Sequence, residues 1–481
     1  MSFSSPIFLW YFLPALLLAY WIVPARHRNV LLAVASLLFY AWGAAATTAL
    51  LLVGMAVNFA SGILLGTPGR PERQRSWLLG ATVVVDLGIL VTWKYAGFFA
   101  DQAAGLSDRL GIGWEPVVEL ALPIGISFYT FHFISYVVDV HRRVSQPQRN
   151  VVQFVCYITL FPQLIAGPIV RYHEIEAQLR DVRSARLRDF ADGFPRFAHG
   201  LFKKVFIADT VAPVADAAFA TTGGDLTTLS AWTGAIAYAV QIYFDFSGYS
   251  DMAIGLGRMF GFRLPENFDR PYSAWSITDF WRRWHLSLSR WFRDYLYVPL
   301  GGNRGTAART YRNLSIVFLL TGFWHGASWT FIVWGAFHGA LMIIERAFGL
   351  DRAPDGAAVM LLRRAVTFVV VVIGWVFFRA PTMDVAVDVL QAMFTPAGLG
   401  LSALVDASLT RQREVVLLLG LAVVLLPGRL VLGRLLDEHR PGGAIALPSG
   451  ALRIAVVALV APVAALTVAA GTFSPFLYFQ F

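Results

Sequence analysis

The sequence predicts an all-α polytopic membrane protein with about twelve spanning helices, accompanied by re-entrant and interfacial helices. Hydrophobic residues make up 57% of the 481 positions and charged residues only 14%, whereas a soluble domain carries about 25% charged residues. Apolar runs of about 20 residues, the length that crosses a bilayer, recur along the chain. No long polar linker or repeat separates them, so we predict a single domain over residues 1–481.

The apolar runs predict the individual spans. Five candidates in the first part of the chain lie near residues 6–24, 30–46, 48–66, 77–98 and 116–138. Seven later candidates lie near residues 199–219, 229–247, 313–328, 331–348, 365–379, 413–430 and 452–472. The first run has neither a basic leader nor a small-residue cleavage site, so we expect it to be retained as a span. The single cysteine, Cys156, excludes an internal disulfide framework.

Residues 313–348 form an apolar stretch that is too long for one span. As a straight helix it would be about 54 Å long, against a hydrocarbon core of about 30 Å. The stretch must therefore tilt, break or double back, and Gly326, Ser328 and Gly335 are its weak points. Non-helical backbone at membrane depth requires surrounding protein or a water-filled cavity. We therefore predict that this stretch lines a cavity.

Basic residues cluster in alternate loops, which predicts the orientation of the chain. The clusters are Arg26 and Arg28; Arg70, Arg73 and Arg75; Arg142 and Arg143; and a series from Arg258 to Arg312. These loops are expected in the cytoplasm, and twelve crossings then place both termini outside it. Residues 151–169 are apolar but lie between two basic loops, which indicates a re-entrant segment. The net charge of +9 suits anionic lipid headgroups and also a phosphate-bearing ligand; we expect no nucleic-acid partner.

Residues 280–302 are both charged and aromatic, and they begin with Phe-Trp-Arg-Arg-Trp-His. Such a segment is too charged to span and too aromatic for a solvated loop. We predict amphipathic helices at the membrane interface, with Trp and Tyr side chains at headgroup depth. His285 is then either an interfacial anchor or a functional group.

Two histidines lie inside the long apolar stretch, His325 in Phe-Trp-His-Gly and His338 in Trp-Gly-Ala-Phe-His-Gly. A charged residue at mid-bilayer costs about 2.5 to 3.5 kcal/mol. Histidine reduces this cost by remaining neutral, and a neutral imidazole can act as a general base. The alternative is that each ring only hydrogen-bonds a neighbouring helix. In one continuous helix the two rings would point about 220° apart, so they need not face the same cavity.

Asp245 and Asp251 end an otherwise apolar run in Tyr-Phe-Asp-Phe-Ser-Gly-Tyr-Ser-Asp. Two carboxylates in such surroundings need partners, and Arg258 and Arg263 follow closely in the sequence. A structural ion-pair network and a substrate site both fit this pattern. His-Glu-x-x-His spacing, a phosphate-binding P-loop and a Gly-x-Ser-x-Gly motif do not occur, so no metal site is expected.

These motifs together resemble the bacterial membrane-bound O-acyltransferase family, in the branch that O-acetylates alginate, peptidoglycan or cellulose. The matching segments are Phe280–His285, Leu286–Ser289, Trp291–Tyr295, Pro299–Asn303, Trp324–Gly326, Trp334, His338–Gly339, Asp245–Asp251 and Leu164–Pro168. The resemblance implies a central tunnel through the membrane. In it His325 is the essential catalytic histidine and His285 a second one near the same path. Around them we predict substrate contacts from Trp324, Trp281, Arg282, Asp245 and His338.

The C-terminal residues 470–481 resemble an acyl-acceptor motif. Phe476, Tyr478 and Phe481 match Phe-x-Tyr-x-x-Phe, which the related D-alanyl transfer system of teichoic acids uses as an acyl-carrying tyrosine. The resemblance thus implies that Tyr478 accepts the acyl group as a covalent intermediate. A membrane aromatic belt would also explain the composition of this segment.

The resemblance further implies an acetyltransferase of the bacterial inner membrane that uses cytoplasmic acetyl-coenzyme A as donor and holds no bound cofactor. A periplasmic or membrane-anchored partner, similar to SGNH hydrolases, would pass the acetyl group to a polysaccharide. Two other functions fit parts of the sequence. A transporter would use broken helices and polar groups at the midplane, and a membrane scaffold would leave His325 dispensable.

Overall fold

All regular secondary structure in the described part of the chain is helical. The computed structural model describes residues 2–114, 118, 120–181, 186–221, 224–396, 398–425 and 449–471, and no strand occurs in these ranges. The predicted all-α class is therefore confirmed for them.

The α-helices are α1 (Leu13–Ile22), α2 (Arg28–Ala44), α3 (Thr48–Leu65), α4 (Glu72–Arg109), α5 (Ile126–His141), α6 (Val151–Thr159), α7 (Phe161–Leu164), α8 (Tyr172–Arg180), α9 (Arg186–Phe202), α10 (Asp209–Ala220), α11 (Thr228–Met259), α12 (Ile277–Trp281), α13 (Leu286–Phe292), α14 (Ala307–His325), α15 (Trp329–Ala347), α16 (Ala357–Arg379), α17 (Met383–Phe394), α18 (Ala403–Ser408), α19 (Arg411–Leu425) and α20 (Ser449–Ala469). Segments with π-helical hydrogen bonding are Phe8–Phe12, Lys203–Ala208 and Arg293–Tyr297. Short 3₁₀ turns are Ala25–His27, Ala45–Thr47 and Pro271–Ser273.

Within the described ranges, three helical stretches are both long and apolar enough to cross a bilayer: Ala25–Leu65, Glu72–Arg109 and Ala357–Arg379. The span predicted at residues 116–138 is shifted, because its helix α5 begins only at Ile126, after Gly125 in the left-handed conformation (φ 74°). The segment predicted to be re-entrant contains α6 and α7. These helices have nine and four residues, so each is far shorter than a hydrocarbon core of about 30 Å.

The chain divides into two compact units. Unit 1 comprises Ile7–Gly193 and Leu256–Pro265, and unit 2 comprises Ser2–Pro6, Phe194–Gly255 and Glu266–Phe481, in each case within the described ranges.

Helix α5 forms the centre of unit 1, and its residues from Ile126 to Val137 are all buried. Helix α3 packs closely against it through glycines. A Cβ atom at Gly54 would lie 2.6 Å from the Phe133 ring, and one at Gly62 would overlap the Tyr136 hydroxyl. Small residues that allow such close approach are a common basis of helix association in membranes.

Polar side chains also connect the helices of unit 1. Asn58 of α3 donates a hydrogen bond to the Asp86 carboxylate of α4 over 2.7 Å. At the end of α5, Asp139 accepts a hydrogen bond from the Nδ1 atom of His173 in α8 over 2.9 Å. His173 is half-buried and Asp139 is buried. This hydrogen bond to the carboxylate raises the pKa of His173 above its ordinary value.

The His173–Asp139 pair predicts a pH-dependent contribution to stability. Because the pKa of His173 is raised on folding, the stabilisation is fully present below about pH 6.5, the ordinary value. It is lost as the pH rises through the raised value. We expect His173→Gln to lower the melting temperature of the protein in nanodiscs more at low pH than at high pH. The exposed His27 supplies a control, His27→Gln. A difference between wild type and His173→Gln that is constant or grows with pH would contradict the prediction.

Close helix crossings organise unit 2 as well. Helices α9 and α11 meet at Gly200 and Gly248, where a Cβ atom on either glycine would lie 2.5 to 2.7 Å from the carbonyl oxygen of the other. Helices α14 and α15 form a hairpin whose turn is residues 326–328. At its crossing a Cβ atom on Gly322 would lie 3.1 Å from the Gly335 Cα atom. The long apolar stretch thus doubles back, which is one of the three predicted alternatives.

The sequence prediction for Gly335 is corrected by this hairpin. Gly335 was expected to weaken the helix, but it lies inside α15, where its lack of a side chain permits the backbone contact. The break itself occurs at Gly326 and Ser328, as predicted. Ser328 starts α15, since its hydroxyl oxygen accepts a hydrogen bond from the Thr330 backbone N–H.

The hairpin crossing predicts that Gly335→Ala is destabilising. The added methyl group would overlap the Phe318 carbonyl oxygen and lie 3.0 Å from the Gly322 Cα atom, so the backbone of one helix must move. We expect a loss of about 1 to 3 kcal/mol, measured as a lower midpoint of unfolding in detergent. Gly88→Ala in α4 is the matched control, because no described atom lies within 4 Å of its Cβ position; it should leave the midpoint unchanged or raise it. Equal midpoints for the two variants would contradict the expectation.

Candidate active site

His325 is the last residue of α14 and lies directly before the hairpin turn. Its side chain is buried among aromatic rings. The ring centroid of His325 lies 4.8 Å from that of Trp324, 5.1 Å from that of Trp334 and 5.1 Å from that of Phe378. The turn thus places the His325 imidazole in an aromatic cluster of unit 2.

His338 of α15 lies in the same cluster. Its ring centroid is 5.1 Å from Trp334 and 5.5 Å from Trp281, and the Trp281 indole N–H donates to its Nδ1 atom over 3.4 Å. Because Nδ1 accepts this hydrogen bond, the neutral ring carries its proton on Nε2. The helix breaks between His325 and His338, so the 220° separation estimated for a continuous helix does not apply. Both histidines contact Trp334.

His285 joins the cluster from the segment between α12 and α13. It is fully buried, and its ring centroid lies 4.7 Å from Phe246 and 6.3 Å from Trp324. Burial in these surroundings lowers the pKa of His285 to about 3, so the ring is neutral at pH 7. The burial of His285 inside unit 2 argues against the interfacial-anchor interpretation.

The six rings form a row in which histidine and tryptophan alternate, which we call the histidine–tryptophan row. Consecutive centroids are 4.8 to 6.3 Å apart. In order, the row consists of His285, Trp324, His325, Trp334, His338 and Trp281. All six residues are buried in unit 2. The predicted residues His285, His325, His338, Trp324 and Trp281 are thus brought together by the structure.

Helix α12, which carries Trp281, is only five residues long but is held at its start by hydrogen bonds. The Ser276 hydroxyl oxygen accepts from the Asp279 backbone N–H over 3.0 Å. The Glu345 carboxylate of α15 accepts from the Thr278 backbone N–H over 2.8 Å. A carboxylate at a helix N-terminus is electrostatically favourable. The Trp281 side chain is 7% exposed, so it faces the interior of unit 2.

The remaining predicted site residues lie elsewhere. Asp245 is buried and forms an ion pair with Lys204 over 3.0 Å, and Lys204 also pairs with Asp209 over 2.6 Å. These contacts fit the structural ion-pair interpretation of Asp245. Arg282 is exposed and outside the row. Tyr478 and its motif neighbours Phe476 and Phe481 lie outside the described residues.

The ion pairs of α9 and α11 differ from those expected. Asp251 pairs with Arg196 over 2.6 Å and with Lys203 over 2.8 Å. Arg258, which was expected to serve these carboxylates, instead pairs with Asp189 and Asp192. The cations come from upstream in the chain because α9 and the π-helical segment Lys203–Ala208 pack beside α11.

Sequence analysis missed several residues of the site. Phe246 and Phe378 contact the histidine rings, and Trp375 stacks on Trp334 with centroids 5.9 Å apart. Asn267 hydrogen-bonds His285. One sequence feature could have drawn attention to Asn267. It lies in a short polar segment between two apolar elements, Pro-Glu-Asn-Phe-Asp-Arg-Pro. In the described ranges no three His, Cys, Asp or Glu side chains converge as a metal site would require.

The Lys204 ion pairs predict a large loss of stability for Lys204→Met. Removing one member of a buried ion pair leaves an uncompensated charge and costs about 3 to 5 kcal/mol, here because Asp245 and Asp209 both lose their cation. Changing both carboxylates to Asn in the same protein should recover part of the loss. Arg180→Met, which removes the exposed partner of Glu176, should cost less than about 1 kcal/mol. Denaturant midpoints of the four proteins in detergent test this, and equal losses for Lys204→Met and Arg180→Met would refute it.

Comparison with known proteins places these residues in a family context. A family model described as the membrane-bound O-acyltransferase family matches residues 76–378, a range that includes His285, His325 and His338. A probable alginate O-acetylase from Azotobacter vinelandii is 46% identical over 507 aligned residues, which cover 100% of both chains. A probable alginate O-acetylase from Pseudomonas aeruginosa is 48% identical over 412 residues, 85% of this chain and 78% of the relative. A peptidoglycan O-acetyltransferase from Helicobacter pylori is 37% identical over 434 residues, 83% of this chain and 81% of the relative.

Proposed function

Because the chain belongs to the membrane-bound O-acyltransferase family, and is therefore an acyltransferase and a membrane protein, we propose that it O-acetylates a cell-envelope or exported polysaccharide of the alginate type. The acetyl group comes from cytoplasmic acetyl-coenzyme A and crosses the inner membrane within the protein. The observation that carries this proposal is the buried histidine–tryptophan row with His325 at the hairpin turn.

The similarity to the relatives supports the class of acceptor. Relatives named as probable alginate O-acetylases align with this chain over all or most of its length. The Helicobacter pylori relative is named for peptidoglycan, so peptidoglycan is the second candidate acceptor, and cellulose the third by the sequence resemblance. The chemistry at the histidines is the same in each case, because every acceptor reacts through a hydroxyl group.

His325 is the general base of the proposed reaction. Its imidazole removes the proton from an attacking hydroxyl, whose oxygen forms a bond to the thioester carbonyl carbon of the donor. The carbon–sulfur bond then breaks, and the proton passes from His325 to the leaving thiolate of coenzyme A. General base assistance of this kind is typically worth about 10² to 10⁴-fold in rate. The ring is surrounded by the aromatic side chains of Trp324, Trp334 and Phe378.

The donor is proposed to bind through its phosphates to the basic stretch between Arg282 and Arg312. Several guanidinium groups of this stretch are exposed and so available to a soluble ligand: Arg282, Arg304, Arg309 and Arg312. Arginine is well suited to phosphate because its planar group offers paired N–H donors. The aromatic residues Trp324, Trp281 and His338 would line the path of the acetyl group.

The first acceptor is proposed to be Tyr478. Attack by its phenol oxygen gives an acetyl-tyrosine ester. A hydroxyl group of a periplasmic or membrane-anchored SGNH-hydrolase-like partner then attacks this ester and takes the acetyl group, which releases the phenol. The partner in turn transfers the acetyl group to a polysaccharide hydroxyl and regains its own. The support for this step is the match of Phe476, Tyr478 and Phe481 to an acyl-carrying motif. It requires the C-terminus to lie outside the cytoplasm, as the distribution of basic loops predicts. About twelve spans around a central tunnel are part of the same proposal.

The test is transfer of radiolabelled acetyl from acetyl-coenzyme A to the purified protein in nanodiscs. Wild type should become labelled, and neutral hydroxylamine should release the label because a tyrosyl ester is activated. His325→Ala should reduce the rate about 10² to 10⁴-fold, and Tyr478→Phe should abolish stable labelling. His27→Ala and Tyr11→Phe, both at exposed positions, are the matched controls and should label like wild type.

The outcomes separate the parts of the proposal. Loss of label only in His325→Ala would retain the acyltransferase mechanism but move the acceptor away from Tyr478. Full labelling of His325→Ala would contradict the role of His325. Hydrolysis of the thioester without labelling of any residue would contradict the covalent intermediate.

A further inference from the structure

The backbone at His285 has an uncommon conformation. Its dihedral angles are φ 45° and ψ 54°, in the left-handed region, which costs a residue other than glycine about 1 to 3 kcal/mol. Among the described residues, Arg143 and Arg270 are the other such cases. Strained conformations persist only where surrounding contacts enforce them. His285 is therefore held in place by specific interactions.

Asn267 supplies these interactions and is itself 1% exposed. Its backbone carbonyl oxygen accepts a hydrogen bond from the Leu286 N–H over 2.9 Å. Its side-chain Oδ1 atom lies 3.1 Å from the Nδ1 atom of His285, 3.2 Å from the Ser287 backbone nitrogen and 2.9 Å from the Ser287 hydroxyl. Its Nδ2 atom donates to the Ser250 hydroxyl over 3.1 Å. One side chain thus contacts both sides of the strained residue.

These contacts determine which nitrogen of His285 carries the proton. A backbone N–H can only donate, so the Asn267 atom that faces the Ser287 nitrogen must be the amide oxygen. The same oxygen faces the His285 Nδ1 atom, and an oxygen acceptor requires Nδ1 to carry the hydrogen. In a neutral imidazole the lone pair is then on Nε2. Asn267 achieves this without adding a negative charge to a buried site, where an unpaired carboxylate would be costly.

We propose that Asn267 is a positioning residue that holds His285 in its strained conformation and in the Nδ1–H tautomer, so that Nε2 is the hydrogen-bond acceptor offered to a hydroxyl substrate. This inference rests on the proposed acyl transfer. It gives His285 a defined task before the step at His325. Nε2 first accepts the hydrogen bond from the single O–H of the bound hydroxyl and holds the hydroxyl in the site. The hydroxyl then turns this hydrogen towards His325, which removes it as the oxygen attacks. Asn267 acts through His285 and has no contact of its own with the reacting atoms in this scheme.

The first readout is the tautomer itself. Full-length protein labelled with ¹⁵N-histidine in nanodiscs is studied by solid-state NMR, and the His285 signals are assigned by their loss in His285→Gln. We expect a protonated Nδ1 and an unprotonated Nε2 in the wild type, and a changed ratio of tautomers in Asn267→Leu. A wild-type His285 with its proton on Nε2 would overturn the proposal. This readout needs no activity, so it decides the inference even if acetyl-coenzyme A proves not to be the donor.

The second readout is kinetic. Asn267→Leu should lower kcat for acetyl transfer about 10- to 100-fold, the range for loss of a residue that orients a functional histidine, with KM for acetyl-coenzyme A within about twofold of wild type. Asn58→Leu is the matched control, since Asn58 is equally buried but hydrogen-bonds Asp86 and Gly54 in unit 1; it should reduce stability without lowering kcat per folded protein.

Two kinetic results would overturn the inference. One is a folded Asn267→Leu with wild-type kcat. The other is a folded Asn267→Leu that keeps the wild-type tautomer of His285 but loses kcat, because the loss would then not act through His285. Absence of acetyl transfer in the wild type, combined with the expected tautomer, would reject the proposed function and leave the positioning of His285 standing.

Discussion

The backbone contact between α14 and α15 at Gly322 and Gly335 is the constraint on which the candidate site depends. Because neither glycine has a side chain, the two helices approach closely and the turn between them needs only residues 326–328. His325 at the end of one helix thereby lies beside Trp334 of the other. The row of rings continues to His338 only because α15 runs back along α14, so the position of both histidines follows from this crossing.

The aromatic character of the site explains why histidine carries its chemistry. A carboxylate base in such surroundings would need a cation or several donors, whereas a neutral imidazole needs only one hydrogen bond to fix its tautomer. Trp281 provides that bond for His338, and Asn267 provides it for His285. Several charged side chains of unit 2 instead pair with one another where α11 meets α9 and the segment Lys203–Ala208. Asp251 pairs there with Arg196 and Lys203, and Asp245 pairs with Lys204.

Sequence reasoning succeeded where one physical limit dominates. The length of the apolar runs predicted residues 30–46 for the helix Arg28–Ala44. It also required residues 313–348 to tilt, break or double back, and the helix ends after His325. The prediction failed where one residue type has two opposite structural roles. Glycine can interrupt a helix or allow two helices to cross closely, and Gly335 allows the crossing. The polar segment around Asn267 was visible in the sequence, but its contact with His285 could not be predicted. The two residues are 18 positions apart, and no periodic pattern relates them. The sequence also could not predict that Arg196 and Lys203 are the cations that pair with Asp251, because this depends on which helices pack side by side.

The ion pairs beside the Gly200–Gly248 crossing restrict how this sequence can diverge. Asp251 has two cations, and Lys204 has two carboxylates, so each charge balances more than one neighbour. A single neutral substitution leaves a buried charge unbalanced, whereas a coordinated exchange of the whole set preserves neutrality. These charged positions are therefore expected to co-vary in pairs or triplets across an alignment of relatives. Gly200 and Gly248 should tolerate almost no replacement. This combined pattern would identify the helix crossing even in relatives whose other segments are too different to align.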